Sequence, residues 1–324
     1  MKDSWVKKGF VDEPIDGNID LVEGIRQLVK EKNAVILAHY YQDADIQDIA
    51  DFVGDSLDLS RRAADTEAEI IVFAGVHFMA ETAKILSPGK KVLIPDQMAG
   101  CSLADSCPPD EFASFRKKHP DHMVVTYVNT SAAIKALSDV CCTSTNALQI
   151  IQHIPENQKI IFAPDRNLGN YLNSLTGRNM LVWDGACHVH EEFSLEKILL
   201  LKNDYPEAKI IAHPECQGPI RVVADFIGST SALLNFSITD KTRTYIVATE
   251  SGILHQMKKA NPDKLFIPAP PKDSTCACND CKFMKLNNLK KIYNTLKYEW
   301  PEVTVPEDIR VLAEVPIRRM LEWS

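Results

Sequence analysis

Three cysteines stand close together near the C-terminus, in the segment STCACNDC that ends at Cys281. Cys276, Cys278 and Cys281 could bind zinc, close a disulfide, ligate an iron–sulfur cluster or lie in a flexible loop. A closed zinc site needs a fourth Cys or His close by, and neither residue type occurs after Cys281. The local spacing therefore leaves the chemistry of these thiols open.

The overall composition excludes several classes of protein. The 324 residues are 45% hydrophobic and 25% charged, which is typical of a globular protein with two or three domains. The net charge of −8 is spread without long runs, so we expect no nucleic-acid partner. No apolar run approaches the about 18 residues of a membrane span, and the first residues lack an apolar signal region. We therefore expect a cytoplasmic protein with no membrane partner, whose nine cysteines serve metal binding, catalysis or packing.

A threefold repeat supplies the elements that must position such residues. His39 in VILAHYYQ, Tyr127 in VVTYVNT and His213 in IIAHPEC recur at an interval of about 87 residues. The segments ADFVGDS and ADFIGST lie two intervals apart, with SDVCCTS between them. Each repeat holds four short apolar runs separated by helical patterns, which is typical of a parallel sheet covered on both faces. The predicted fold class is α/β, with three pseudo-repeated three-layer αβα sandwiches around a pseudo-threefold axis.

The same repeat sets the predicted domain boundaries. We expect the first αβα repeat over 20–108, the second over 109–196 and the third over 197–300. The remaining residues, 301–324, are predicted to form a C-terminal helical tail that packs back on the body.

Polar residues follow the strands of each repeat, where doubly wound sheets bind their ligands. The first strands are followed by His39 and Tyr41, by Tyr127 and Asn129, and by His213 and Glu215. A hydroxyl at a helix start serves first as an N-cap, but three in register also favour an anionic substrate. The hydroxyls after the second strands, next to Asp55 in the first repeat and Thr143 in the second, are those of Ser56, Ser144, Ser229 and Thr230.

A cysteine follows the fourth strand of each repeat: Cys101, Cys187 and one of the C-terminal group. If the strand ends face inward, one thiolate from each repeat meets the others at the centre. Three thiolates are too few for a closed zinc site, whereas a [4Fe–4S] cluster held by three cysteines keeps one iron open for Lewis-acid catalysis of dehydration. The remaining cysteines and the two histidines of CHVH are predicted to have packing or supporting roles: Cys107, Cys141, Cys142, Cys216, His188 and His190.

The chain resembles the quinolinate synthase family in motifs that run through nearly its whole length. They are AHYYQDADIQDIADFVGDSLDLSRRA, IVFAGVHFMAETAKIL, YVNTSAAIKA, PDRNLGNYL, GACHVHEEF, HPEC, STSAL and MKLNNLKKIY. The resemblance implies condensation of iminoaspartate with dihydroxyacetone phosphate to quinolinate, phosphate and two waters, in de novo NAD biosynthesis. It also implies the three-sandwich fold, a [4Fe–4S] cluster with three Cys ligands and one open iron, and an aspartate oxidase or dehydrogenase that supplies iminoaspartate.

The resemblance also assigns residues. The cluster ligands fall on Cys101, Cys187 and Cys281. The substrate site falls on His39, Tyr41, Ser56, Tyr127, Asn129, Ser144, His213, Glu215, Ser229 and Thr230. One departure concerns the last loop, where many members carry C-x-x-C-x-x-C and this chain carries C-x-C-x-x-C. Cys281 is assigned because MKLN follows it as in the family; Cys278 is the alternative, and whether Cys276 and Cys278 form a disulfide stays open.

The implied chemistry assigns roles to these residues. Joining the two substrates requires a carbon nucleophile, proton transfers, loss of phosphate and two dehydrations, so Glu215, His213, Tyr41 and His39 are the catalytic candidates. The hydroxyls after the second strands are expected to hold phosphate and carboxylate oxygens, while Tyr127 and Asn129 orient the substrate.

Two other functions compete with this interpretation. A zinc-binding or redox-sensing protein would use the C-terminal thiols without catalysis, and a different three-cysteine iron–sulfur hydro-lyase would share the cluster. A nicotinamide dehydrogenase is disfavoured because no G-x-G-x-x-G follows any predicted strand.

Overall fold

The computed structural model describes residues 2–273 and 280–324. Within them, three four-stranded sheets follow one another along the chain, and every strand pair inside the sheets is parallel. Each sheet has the same strand order, in which the first strand of the repeat lies between the second and the third, and the fourth lies beyond the third. The α/β class and the three repeated sandwiches are therefore confirmed.

The first unit carries the N-terminal helices and the first sheet. Its strands are β1 (Ala34–His39), β2 (Phe52–Gly54), β3 (Ile70–Ala74) and β4 (Lys91–Leu93). Its helices are α1 (Asp3–Lys8), α2 (Leu21–Glu31), α3 (Ala44–Ile49), α4 (Ser56–Asp65), α5 (His77–Leu86) and α6 (Ser102–Asp105).

The second unit repeats the pattern. Its strands are β5 (His122–Tyr127), β6 (Val140–Cys142), β7 (Lys159–Ala163) and β8 (Leu181–Val182). Its helices are α7 (Pro109–Lys117), α8 (Ala132–Ala136), α9 (Ala147–His153), α10 (Arg166–Thr176) and α11 (His188–Glu191).

The third unit is followed by the C-terminal helices. Its strands are β9 (Lys209–Ala212), β10 (Phe226–Ile227), β11 (Thr244–Ala248) and β12 (Leu265–Pro268). Its helices are α12 (Leu195–Asp204), α13 (Gly218–Val223), α14 (Thr230–Thr239) and α15 (Ile253–Ala260). A short 3₁₀ helix (Met284–Leu286), α16 (Leu289–Tyr298) and α17 (Glu307–Glu322) complete the described chain.

An aspartate before the second strand makes the same pair of contacts in all three repeats. One carboxylate oxygen accepts the backbone N–H of a residue in the first strand at 2.7–2.8 Å, and the aspartate's own N–H donates to the carbonyl of that residue. These two hydrogen bonds, one of them to a charged acceptor, link the first strand of each repeat to the aspartate that precedes the second strand. The pairs are Asp51 with Ile36, Asp139 with Val124 and Asp225 with Ile210.

The central strands are buried on both faces, as expected of parallel sheets between helices. All five residues of β3 are buried, and so are four of five in β7 and in β11. Such continuous apolar runs stabilise the sheets by removing apolar surface from water, at about 25 cal/mol per Å². The rigid sheets then hold the loops at their carboxyl ends in place.

The last two helices pack on earlier repeats. Helix α16 lies in the range predicted for the third repeat, yet its Ile292 and Leu296 share a core cluster with Ile36 and Val72 of the first sheet. Helix α17 contacts α8 and β6 of the second unit. Each sheet lies inside its predicted range, but the boundaries at 108, 196 and 300 stay predictions.

Candidate active site

A single cavity gathers residues from the carboxyl ends of all three sheets. The residues at or just after the carboxyl ends of the first strands line it, namely His39, Tyr41, Tyr127, Asn129, His213 and Glu215. Of the four predicted hydroxyls, those of Ser56, Ser144 and Thr230 also belong to the lining. Strand-end geometry therefore brings together three segments that are distant in sequence.

Ser229 is the predicted substrate residue that the structure does not place in the lining. Its hydroxyl accepts the backbone N–H of Ala232 at 3.3 Å and caps α14. In the first repeat the cap is Asp55, so the hydroxyl of Ser56 is not needed for capping. The helix-capping role that competes with ligand binding thus applies to Ser229 and not to Ser56.

His39 and His213 occupy equivalent positions and make the same local contact. Nδ1 of His39 accepts the N–H of Tyr41 at 3.1 Å, and Nδ1 of His213 accepts the N–H of Glu215 at 3.3 Å. The proton of each neutral ring is then on Nε2, which in His213 lies 3.2 Å from Oγ of Ser144. Burial lowers the pKa of His39 to about 4 and that of His213 to about 3. Both imidazoles are therefore neutral at pH 7 and offer an N–H.

Glu215 is a buried carboxylate that meets side chains of the second repeat. The Tyr127 hydroxyl donates to Oε1 at 2.5 Å. Nδ1 of His190 lies 3.2 Å from Oε2, within ion-pair distance but not aligned as a hydrogen bond. Burial opposes ionisation, yet His190 and the Tyr127 hydrogen bond hold the pKa of Glu215 below its usual range. The group is therefore an anion at pH 7, which suits a proton acceptor.

Polar contacts continue from Glu215 to Tyr41. Nε2 of His190 lies 3.1 Å from Oγ1 of Thr249, which in turn lies 2.7 Å from the Tyr41 hydroxyl. That hydroxyl also contacts Oγ1 of Thr230 at 2.9 Å. Burial and the nearby Glu215 raise the pKa of Tyr41 well above its ordinary value, so its hydroxyl keeps its proton.

Three cysteines, one from each repeat, line the same cavity. Burial raises the pKa of the Cys101 thiol to about 12 and also raises the pKa values of Cys187 and Cys281; neighbouring thiols add smaller contributions at Cys101 and Cys187. Ionising three neighbouring, half-buried thiols is unfavourable unless a cationic centre compensates, and a bound metal supplies that charge to its deprotonated ligands. The donor set therefore fits a metal centre.

The spread of the three sulfurs argues against a single zinc ion. Thiolates on one zinc lie at most about 4.6 Å apart, because each Zn–S bond is about 2.3 Å long. Among the residues that the structure describes, the compact metal-ligand group in this cavity is Cys187, His190 and Glu215, with ligand atoms within 4.8 Å of one another. Cys101 and Cys281 are not part of that group, so the three sulfurs suit a centre larger than one ion, such as a cluster.

Each cysteine-bearing loop is braced by polar contacts. Oγ of Ser102, the residue after Cys101, lies 2.7 Å from Nδ1 of His188, the residue after Cys187. The N–H of Cys281 donates to Oε1 of Glu250 at 3.1 Å. The alternative ligand, Cys278, and its neighbour Cys276 lie outside the described residues.

Glu250 is held by two further contacts. It accepts the N–H of Gly252 at 2.7 Å and pairs with Lys285 at 3.3 Å. A Cβ at Gly252 would lie 2.8 Å from backbone atoms of Tyr40 and Tyr41, so the third repeat meets the first closely here. This contact fixes the cysteine loop relative to the Tyr41 loop.

Thr249 and Glu250 were missed by the sequence interpretation. Both follow β11, the third strand of the third repeat, whereas candidates were sought only after first, second and fourth strands. The equivalent position in the second repeat, after β7, holds Asp165, a fully buried carboxylate that caps α10. Applying the strand-end rule to all four strands would have found these residues.

Known proteins resemble the chain over nearly its whole length. The family model described as "Quinolinate synthetase A protein" matches residues 23–322. The chain belongs to the quinolinate synthase family. It is similar to the quinolinate synthase of Thermosynechococcus vestitus, at 60% identity over 306 residues, which cover 94% of this chain and 96% of the relative. The quinolinate synthases of Chloroherpeton thalassium and Nostoc punctiforme are 57% and 61% identical over 96% and 94% of this chain, and over 97% and 94% of their own lengths.

Membership of this family makes the chain an enzyme, as predicted. Among the described helices, none is both long enough and apolar enough to cross a bilayer.

Proposed function

We propose that the enzyme condenses iminoaspartate with dihydroxyacetone phosphate to give quinolinate, phosphate and two waters, in de novo NAD biosynthesis. The observation that carries the proposal is the convergence of one cysteine from each repeat on a cavity that also holds Glu215, two neutral histidines and three hydroxyls. The similarity to quinolinate synthases over 94% of the chain supports it.

Cys101, Cys187 and Cys281 would hold a [4Fe–4S] cluster through three of its irons. Such a cluster supplies a Lewis acid at its open iron, which promotes loss of a hydroxyl group as water. All three cysteines lie in the cavity wall beside Glu215, His190 and Tyr127. The acid–base groups would thus share the cavity with the metal centre.

Glu215 is the proposed proton acceptor. It is ionised and buried, and the Tyr127 hydroxyl at 2.5 Å stabilises its charge and fixes its orientation. Proton abstraction from carbon or nitrogen by a positioned carboxylate contributes typically 10²–10⁴-fold to a rate. Tyr41 keeps its proton and can donate to a leaving oxygen.

His39 and His213 are proposed as hydrogen-bond donors rather than bases. Their Nδ1 atoms accept backbone N–H groups, and burial keeps both rings neutral. A neutral Nε2–H can polarise a substrate carbonyl without adding a charge that would need compensation in the buried cavity.

Hydroxyl groups would hold the anionic parts of the substrates, and an amide oxygen would accept a hydrogen bond from a substrate. Ser56, Ser144 and Thr230 line the cavity, and α4 and α14 begin at two of them. Oδ1 of Asn129 is buried and accepts no hydrogen bond from any described residue, which leaves it for a substrate N–H or O–H. The three hydroxyls and the two helix starts together favour the binding of phosphate and carboxylate oxygens.

The proposed substrate iminoaspartate needs a source. Imines hydrolyse in water, so a neighbouring aspartate oxidase or dehydrogenase would have to supply it at the rate of consumption.

The test is anaerobic reconstitution with iron and sulfide, followed by an assay for quinolinate from the two substrates. We expect a brown protein with broad absorbance near roughly 400 nm and quinolinate formation that depends on the cluster. A reconstituted cluster without quinolinate would favour a different iron–sulfur hydro-lyase. A colourless protein that binds zinc at Cys187, His190 and Glu215 instead would overturn the proposal.

A further inference from the structure

The carboxylate of Asp55 contacts the helix starts of all three repeats. Its Oδ1 accepts the N–H groups of Leu57 and Asp58 at 3.0 and 3.1 Å, which caps α4 of the first repeat. Its Oδ2 accepts the hydroxyl of Thr145 from the second repeat at 2.7 Å and that of Ser231 from the third at 2.8 Å. The side chain is buried, and four donors satisfy its two oxygens.

The residues of this arrangement occupy equivalent positions in the three repeats but have different roles. Thr145 and Ser231 stand where the first repeat has Leu57, while Asp55 stands where the other repeats have Thr143 and Ser229. One repeat thus contributes the acceptor and the other two contribute donors. A single carboxylate can satisfy them all, whereas three carboxylates at one point would repel one another.

Every member of this contact is next in sequence to a cavity hydroxyl. Ser56 follows Asp55, Ser144 precedes Thr145 and Thr230 precedes Ser231. The three hydroxyls come from three sheets whose relative positions no common strand fixes. The distances between them therefore depend on contacts such as those of Asp55.

We propose that Asp55 is a positioning residue that holds Ser56, Ser144 and Thr230 at the spacing required to bind the phosphate-bearing substrate. The proposal rests on the proposed function, because it assumes that these hydroxyls bind an anionic substrate. Misplacing binding groups by about 1 Å can cost 10²-fold in rate, so the effect of such a contact is measurable.

Two substitutions of Asp55 separate its contacts from its charge. Asp55→Ala removes the contact, so the hydroxyl of Thr145 loses this acceptor, while that of Ser231 keeps its contact with Oδ2 of Asp58 at 3.2 Å. Asp55→Asn keeps the shape and can still bond both hydroxyls, because each hydroxyl can donate or accept, but it removes a charge that repels bound anions. Positioning and charge therefore predict different results for the same site.

The experiment measures the Kd for inorganic phosphate on the cluster-free protein by calorimetry. On the reconstituted enzyme it measures KM for dihydroxyacetone phosphate and kcat. We expect Asp55→Ala to raise both the phosphate Kd and the KM by tenfold or more. Asp55→Asn should leave both constants equal to or below the wild-type values. Thr145→Ala and Ser231→Ala should each raise the Kd and the KM several-fold, whereas Thr145→Ser, which keeps the hydroxyl, should have wild-type values.

Asp51→Asn is the matched control. Asp51 lies four residues away and holds a backbone N–H outside the cavity, so its loss should lower the melting temperature without changing KM. Unchanged phosphate Kd and KM in Thr145→Ala and Ser231→Ala would overturn the proposal even if Asp55→Ala did not fold.

Failure of the proposed function gives a different result. A wild-type enzyme that forms no quinolinate and binds no phosphate would remove the substrate on which both proposals rest. A wild-type enzyme that forms quinolinate while all three alanine variants bind phosphate normally would overturn the role of Asp55 alone.

Discussion

The two ends of the sheets differ in how closely the three repeats agree. Before the second strand, Asp51, Asp139 and Asp225 make the same backbone contacts with nearly equal distances. After the first strand, the equivalent positions hold Tyr41, Asn129 and Glu215, and these make unrelated contacts. Pairing two strands needs the same bond in every repeat, whereas the proposed chemistry needs one proton acceptor, one amide and one donor. Threefold repetition is therefore kept where the strands pair and lost where the side chains line the cavity.

The largest effect is expected for Glu215→Gln, at the divergent end. An isosteric amide cannot accept a proton as a base, so kcat should fall by about 10²–10⁴-fold with the cluster and the melting temperature retained. Asp225→Asn in the same repeat is the control and should keep kcat. Anaerobic turnover close to that of wild type would remove Glu215 from the acid–base candidates.

Tyr127→Phe should alter the pH dependence of activity. The hydroxyl stabilises the Glu215 carboxylate, so its removal raises the pKa of that group. A base is lost as pH falls through its pKa, and the decline in kcat on the acid side should therefore begin at a higher pH in the variant. A profile identical to that of wild type would show that the Tyr127 hydrogen bond does not hold Glu215 ionised.

The aspartates that make the same contacts in all three repeats should contribute similarly to stability. Asp51→Asn, Asp139→Asn and Asp225→Asn each weaken a hydrogen bond to a charged acceptor, so each should lower the free energy of unfolding by about 1–3 kcal/mol. Chemical denaturation of the three variants measures this. Strongly unequal losses would mean that the repeats are equivalent in sequence but not in energy.

The smallest effect separates two neighbouring hydroxyls. Ser229→Ala should lower stability by about 0.5–2 kcal/mol through loss of a helix cap and leave KM unchanged. Thr230→Ala should raise KM for the phosphate substrate, because Thr230 lines the cavity and contacts Tyr41. An increase in KM for Ser229→Ala would restore it to the substrate site.

Much of this arrangement could be predicted because a parallel sheet fixes where its strands end. The interval between His39, Tyr127 and His213 indicates three sheets, and the strand-end rule identifies most of the polar lining residues, although not Glu250. The sequence interpretation did not predict the contacts of Asp55 or of Glu250. These join residues of different repeats, and their partners follow from the packing angle of one sheet on another, which no periodicity encodes.

The packing of α16 could not be predicted for a similar reason. Its position after the third sheet suggested the third repeat, but its apolar face packs on the first sheet instead. An amphipathic helix indicates that one face is buried and does not specify against which sheet.

The central claim is that each repeat contributes one thiolate to a single metal centre, and iron and sulfide counts in cysteine variants test it most directly. Cys101→Ser, Cys187→Ser and Cys281→Ser should each leave little or no intact cluster in protein purified without oxygen, because serine is a far poorer ligand for iron. Cys141→Ser is the matched control, since Cys141 is buried away from the cavity beside the Thr126 hydroxyl and should keep full iron and sulfide. Loss of the cluster in Cys278→Ser with its retention in Cys281→Ser would move the third ligand by three residues. A complete cluster in Cys101→Ser or Cys187→Ser would contradict the claim that every repeat supplies a ligand.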